Sequence, residues 1–226
     1  METAAPRYPW PWRLGAWLGF VLVLTAVSFA GRLADGEPSR DAAYRYSTSV
    51  VALVTYAVLL GIVVLMAVGL RREEAFALRR PASWRRALAA VGIALIAIWA
   101  ASAALAPFLD PTAEQGLIPE EWDPSRAGAF VAFFLVVTLA APVVEELTYR
   151  GLGYTLLRPF GTRTAIVGTG VLFALAHGLL LGLPVLIVFG IAVGWVRART
   201  ESVYPGMLLH AVFNGVALLV SVAAAA

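Results

Sequence analysis

Cysteine is absent from the 226-residue chain, and so is lysine. Without cysteine there is no disulfide, no thiolate metal site and no cysteine nucleophile. Charge is scarce too: Asp, Glu, Lys and Arg make up 14% of the residues, against about 25% in a soluble domain. Histidine occurs only twice, at His177 and His210. The remainder is dominated by apolar residues, 61% by the broad count, with a mean hydropathy of +0.82. That excludes an ordinary water-soluble globule and a disordered chain. A membrane helix takes about 20 apolar residues, and the apolar share is enough for about seven of them. The expected fold class is therefore all-α: a polytopic integral membrane bundle of about seven transmembrane helices. It forms one embedded domain over 1–226, with N-terminal helices and loops in 12–124 and motif-bearing helices in 125–220. The net charge of +3 carries no nucleic-acid signal, so the expected surroundings are the lipid bilayer and the expected partners are membrane-associated.

Apolar runs cover about 12–30, 47–70, 87–109, 125–157, 164–181, 184–196 and 205–220. The first is too long and aromatic for a signal-peptide core and lacks a small-residue cleavage site, so it reads as a retained span. The sixth is short, and a half-buried helix is its alternative. Trp10, Trp12 and Trp17 read as an interfacial anchor. With the N-terminus in the cytoplasm and alternating spans, twelve arginines fall inside and four outside, at 32, 40, 45 and 126. This satisfies the positive-inside rule. The six arginines between 71 and 86 are the strongest part of that signal, with anionic-lipid contact as a second use. Arginine in place of lysine, together with abundant alanine, points to GC-rich coding and so to a bacterial inner (plasma) membrane.

Ionisable groups inside a bilayer cost about 2.5 kcal/mol or more each and tend to face the bundle interior. Here they form a small set. Glu145, Glu146 and Arg150 lie in the run Ala-Pro-Val-Val-Glu-Glu-Leu-Thr-Tyr-Arg; His177 follows Phe173 by four residues, and Asn214 follows His210 by four. Glu146 and Arg150 share a helix face and can pair, whereas Glu145 is turned by about 100°. Gly206, one turn before His210, permits a close helix neighbour. Counted from the helix ends at the arginine-rich side, Glu145, His177 and His210 lie about 20, 21 and 14 Å deep. Three helices thus bring polar groups to a similar level. Several members also have purely structural readings. Glu146 and Arg150 can be a structural ion pair, Phe173 core packing, and Asn214 a helix-to-helix bond.

Other intramembrane protease chemistries lack their residues. There is no Gly-x-Ser-Gly, no His-Glu-x-x-His and no Gly-x-Gly-Asp. Carboxylate and imidazole chemistry remains: a carboxylate can act as general base for water, and a His with an Asn on a facing helix can donate to a carbonyl oxygen as charge develops. Two histidines with one or two glutamates, Glu145, His177 and His210, also make a reasonable zinc ligand set.

Glu-Glu-x-x-x-Arg, Phe-x-x-x-His and His-x-x-x-Asn, in this order on separate apolar helices, resemble the motifs of the CPBP intramembrane proteases. These are the CAAX-processing and bacteriocin-processing, abortive-infection-like relatives of the type II CAAX prenyl endopeptidase. The resemblance covers about 125–220, with Tyr149 where relatives commonly carry Phe; the first three helices match only in being hydrophobic. It implies an intramembrane endopeptidase acting on a lipidated or membrane-associated protein or peptide, from a cavity open to the cytosol. Glu145 would activate water with His177, His210 and Asn214 would form the oxyanion side, and Glu146 and Arg150 would support the geometry. Family descriptions include metal-dependent and metal-free mechanisms, and the motifs do not choose between them. Two other classes compete: a non-enzymatic membrane immunity or scaffold protein, and a proton-coupled transporter, since buried Glu and His also mark proton relays.

Overall fold

A computed structural model describes residues 11–35, 41–109 and 122–224; Arg7, Trp10, Arg40 and the acidic segment 110–121 lie outside the described residues. The described chain is helical, with no strand. Among the described residues seven apolar helices are present: α1 (Pro11–Asp35), α2 (Tyr46–Met66), α3 (Trp84–Leu105), α4 (Pro124–Phe160), α5 (Thr162–Ala176), α6 (Leu183–Thr200) and α7 (Tyr204–Ala224). All but α5 are long and apolar enough to cross a bilayer. Large apolar side chains on their outer faces, such as Val50, Val51, Val54 and Val58 of α2, are exposed. In a membrane protein that surface meets lipid. The chain is a polytopic helical bundle.

The short helix is the fifth, not the sixth. The 15 residues of α5 rise only about 22 Å. Its end is set by a close crossing with α1. The Ser28 hydroxyl donates to the Ala176 carbonyl at 2.7 Å. Gly178 turns the chain in the left-handed region at φ +64, and a Cβ there would lie 2.8 Å from the Ser28 carbonyl carbon. Only glycine tolerates both conditions. The sixth helix, by contrast, is 18 residues long, with a proline in its first turn. α5 and α6 then pack backbone against backbone: a Cβ on Gly190 would lie 2.5 Å from the Gly170 carbonyl oxygen. Small residues are what permit that approach between apolar helices.

The two ends of the bundle differ. At the arginine-rich end, Arg13 donates from Nε to the Met66 carbonyl at 3.2 Å and from Nη2 to that of Val68 at 2.9 Å, satisfying acceptors at the C-terminal end of α2. The arginine loop is not merely a solvated topology signal, because its middle folds inward. Ala75, Phe76 and Ala77 are buried, and the Ala77 carbonyl accepts the Val203 N–H at 3.2 Å. Arg79 meets the Glu201 carbonyl at 2.7 Å and its carboxylate at 3.3 Å. At the other end, Tyr44, Trp122 and Phe130 form an aromatic cluster. Asp123 starts α4 there. Hydrogen bonds from Ser125, then Arg126, hold its carboxyl down at about 2, so this clasp is lost only as pH falls through that value.

Trp17 departs from the interfacial role its position suggested. It is fully buried, donates from Nε1 to the Thr148 carbonyl at 3.0 Å, and meets Tyr149 edge-on. Its partner Trp12 stays exposed.

Candidate functional site

Glu145 and Glu146 stand on an unusual stretch of helix. α4 contains two π-helical segments, Val136–Ala140 and Leu147–Gly153, and the α-helical turn Ala141–Glu146 lies between them. Such π segments are rare and cluster at functional sites. The first has a local cause. The Ala141 N–H donates to Val136, five residues back, and Pro142 has no N–H to give. The Val137 carbonyl is therefore open to a donor from outside the helix, and Asn214 Nδ2 supplies it from α7 at 2.9 Å.

Below that turn is a fully buried ion pair. Arg150 Nη1 lies 3.0 Å from Glu146 Oε1, with both side chains at 0% exposure. Arg150 also donates from Nη2 to the Gly190 carbonyl at 2.8 Å and lies 4.6 Å over the Phe173 ring. Its own carbonyl accepts from Arg197 Nε at 3.0 Å. A buried guanidinium needs such partners on several sides. Gly206 lies against Glu146, where a Cβ would stand 3.0 Å from Oε2, so the close neighbour expected at that position is α4 itself.

The two imidazoles are held in the same way. His177 caps α5, and its Nδ1 lies 2.8 Å from the Phe173 carbonyl. His210 Nδ1 lies 3.1 Å from Glu146 Oε1. Both partners are acceptors only, so both rings carry a proton on Nδ1 and turn Nε2 inward. Those two Nε2 atoms face one oxygen, Glu145 Oε2, at 3.9 Å from His177 and 3.7 Å from His210. That oxygen is buried and has no hydrogen-bond donor among the described residues. Phe173, 1% exposed, packs against both rings, with centroids 4.5 Å from His177 and 5.7 Å from His210. The residues singled out in the sequence thus meet in one place. A cavity of about 330 Å³ reaches them and is lined by Glu145, His177, His210 and Asn214 among others.

One member has no motif to announce it. Tyr56, midway along α2, donates its hydroxyl to Glu145 Oε1 at 2.9 Å. Tyrosine in a membrane helix usually sits at the interface; a phenol in mid-span among aliphatic residues is the signal that could have revealed it. Tyr56→Phe removes one bond to a carboxylate, worth about 1.5–3 kcal/mol, or roughly a ten- to hundred-fold change in rate. For a Glu145 that acts as a base, the expected result is a lower kcat with KM little changed, measured by steady-state kinetics.

Among the described residues, no group of three or more His, Asp or Glu side chains is arranged to hold a metal ion. His210 already commits Nδ1 to Glu146. The separations of 3.7 and 3.9 Å around Glu145 Oε2 suit a bridging water between hydrogen-bonding groups.

Among the described residues, seven apolar helices around a buried carboxylate and two imidazoles define an integral membrane protein with a polar site in its interior. Residues 127–216 match the family model described as type II CAAX prenyl endopeptidase Rce1-like, so this segment is similar to the CPBP/CAAX intramembrane proteases. The match runs from the start of α4 to just beyond Asn214 and leaves α1 to α3, and Tyr56 with them, outside. No significant match to a curated protein or to a solved structure was found.

Proposed function

We propose that the protein hydrolyses a peptide bond of a membrane-associated substrate with a water activated by Glu145. The observation that carries this reading is the convergence on Glu145 Oε2: a buried carboxylate oxygen without a donor, facing Nε2 of both histidines across 3.7 and 3.9 Å. A water there donates one proton to Oε2 and the other to His177 Nε2, which orients its lone pair. As Glu145 takes the proton, the water oxygen bonds to the scissile carbonyl carbon and the carbonyl oxygen becomes anionic. Asn214 has a second amide N–H for that oxygen, and His210, held through Nδ1 by Glu146, faces the same space. The C–N bond then breaks, and Glu145 returns its proton to the leaving amine. Tyr56 is a positioning residue that aims Glu145.

Every group in these steps belongs to the chain, so cleavage is expected to survive 1,10-phenanthroline, with less than one metal ion per protein by elemental analysis. Activity lost to the chelator and restored by zinc would instead assign Glu145, His177 and His210 as metal ligands.

The reaction itself is tested in proteoliposomes with a library of membrane-spanning and lipidated peptides in heavy-oxygen water. Hydrolysis places one heavy oxygen in the new carboxyl group, read by mass spectrometry, and the product disappears in His177→Ala. A scaffold or immunity protein yields no product, and a proton-coupled carrier shows pH-driven flux instead.

A further inference from the structure

A second cavity, of about 820 Å³, lies between the start of α3 and the end of α6. It shares no wall residue with the cavity at Glu145. Its walls carry three arginines, Arg85 and Arg86 from α3 and Arg199 from α6, and no carboxylate. All three side chains are exposed. Arg199 lies 5.3 Å over the Trp195 ring, and among the described residues none of the three has an ion-pair partner. Nearby arginines are placed differently. Arg71 pairs with Glu74 and Arg79 with Glu201, while Arg197 is buried on the Arg150 carbonyl. Three uncompensated cations around one groove repel one another and favour an anion between them.

The groove changes character with depth. α3 runs inward from Trp84, and α6 returns to the same end at Thr200. Arg85, Ala89 and Ile93 follow one another at intervals of four, so they share a face of α3. Ile93 lies about 12 Å deeper than Arg85 and is exposed, as is Ala89. On α6, Trp195 stands one turn deeper than Arg199 on the same face. The walls are thus cationic at the helix ends, aromatic one turn in, and apolar below.

A phospholipid has the same order of chemistry: phosphate, then the interfacial ester level where tryptophan is favoured, then an acyl chain. Guanidinium groups suit the phosphate because they can donate to it in pairs. A soluble anion would use the arginines but leave the Ile93 face without a partner. A zwitterionic headgroup would bring its own ammonium up to three cations. We propose that this groove holds one anionic phospholipid, with its phosphate among Arg85, Arg86 and Arg199 and an acyl chain along Ala89 and Ile93. Such a lipid ties α3 to α6, the helix whose Gly190 carbonyl holds Arg150. The lipid site does not depend on the hydrolytic reading.

The test is native mass spectrometry of the full chain, delipidated in neutral detergent and then offered dioleoyl phosphatidylglycerol or dioleoyl phosphatidylcholine. The wild type is expected to retain one phosphatidylglycerol in preference to phosphatidylcholine. Each of Arg85→Gln, Arg86→Gln and Arg199→Gln should weaken that retention by about five-fold, the effect of one arginine near an anionic lipid, and the triple variant should lose the preference. A charge-matched control, Arg72→Gln with Arg80→Gln and Arg163→Gln, removes three other exposed arginines and should keep it. Ala89→Trp leaves every arginine in place but blocks the apolar wall, and should also lose the lipid. Equal retention of the two lipids by the wild type, which needs no variant to fold, would overturn the proposal. So would an equal loss in the control, since a diffuse positive field then explains the binding. Unchanged retention in Ala89→Trp, or displacement of phosphatidylglycerol by sodium phosphate but not by sodium chloride of equal ionic strength, would make the occupant a soluble anion and overturn the lipid.

Discussion

Glu145→Gln is expected to lower peptide cleavage by about a hundred- to ten-thousand-fold, the range general-base catalysis supplies, while the bundle stays folded. Gln has the same shape, and its amide oxygen can still accept the Tyr56 hydroxyl. What it loses is a second oxygen able to take a proton from water at the point where both Nε2 atoms converge. The side chain is 16% exposed toward the cavity, and Arg150 pairs with Glu146 instead, so the structural ion pair is untouched. Single-turnover cleavage in proteoliposomes, alongside thermal unfolding, separates the two effects. Undiminished cleavage would remove Glu145 as the base. Glu145→Asp should fall in between, since it keeps the carboxylate but withdraws it by one methylene from both histidines.

The neighbouring carboxylate predicts a different kind of damage. Arg150→Met is expected to cost about 3–5 kcal/mol of stability, as breaking one side of a buried pair does. The guanidinium holds Glu146 and the Gly190 carbonyl and lies over Phe173. Removing it leaves a carboxylate at 0% exposure with His210 as its remaining hydrogen-bond partner. Thermal unfolding in detergent measures the loss; an unfolding curve equal to that of the wild type would show that the pair holds nothing. Adding Glu146→Gln removes the stranded charge, and the double variant should recover part of the stability. It should not recover full activity, because His210 then lacks an anionic partner.

The site was legible in the sequence because its chemistry contrasts with its setting. Two adjacent glutamates, an arginine four residues on and the chain's only histidines stand out against apolar helices, and helical rise alone puts three of them at similar depth. Tyr56 escaped because nothing in an isolated tyrosine says which carboxylate it will meet. The shortness of α5 depends on Gly178 and on the approach of Ser28 from another helix, a tertiary event that hydropathy does not register. The inward fold of the arginine loop is hidden for a similar reason. Its six arginines dominate any reading of charge, whereas the buried part is only Ala75, Phe76 and Ala77. Trp17 was misplaced because tryptophan near a helix start has an interfacial meaning by default, and only the partner surface on α4 changes it.

The two π segments of α4 have a mechanical consequence. A π turn acts as one residue slipped into an α-helix, and each added residue rotates the rest of the helix by about 100°. The turn bearing Glu145 and Glu146 is flanked by one such segment on each side, so its azimuth is offset from both ends of the helix. The aromatic cluster at one end and the Trp17 contact at the other can each keep their own register while the carboxylates keep theirs. The helix thus joins three registers, and the one bearing the carboxylates is held by Tyr56, Arg150 and His210.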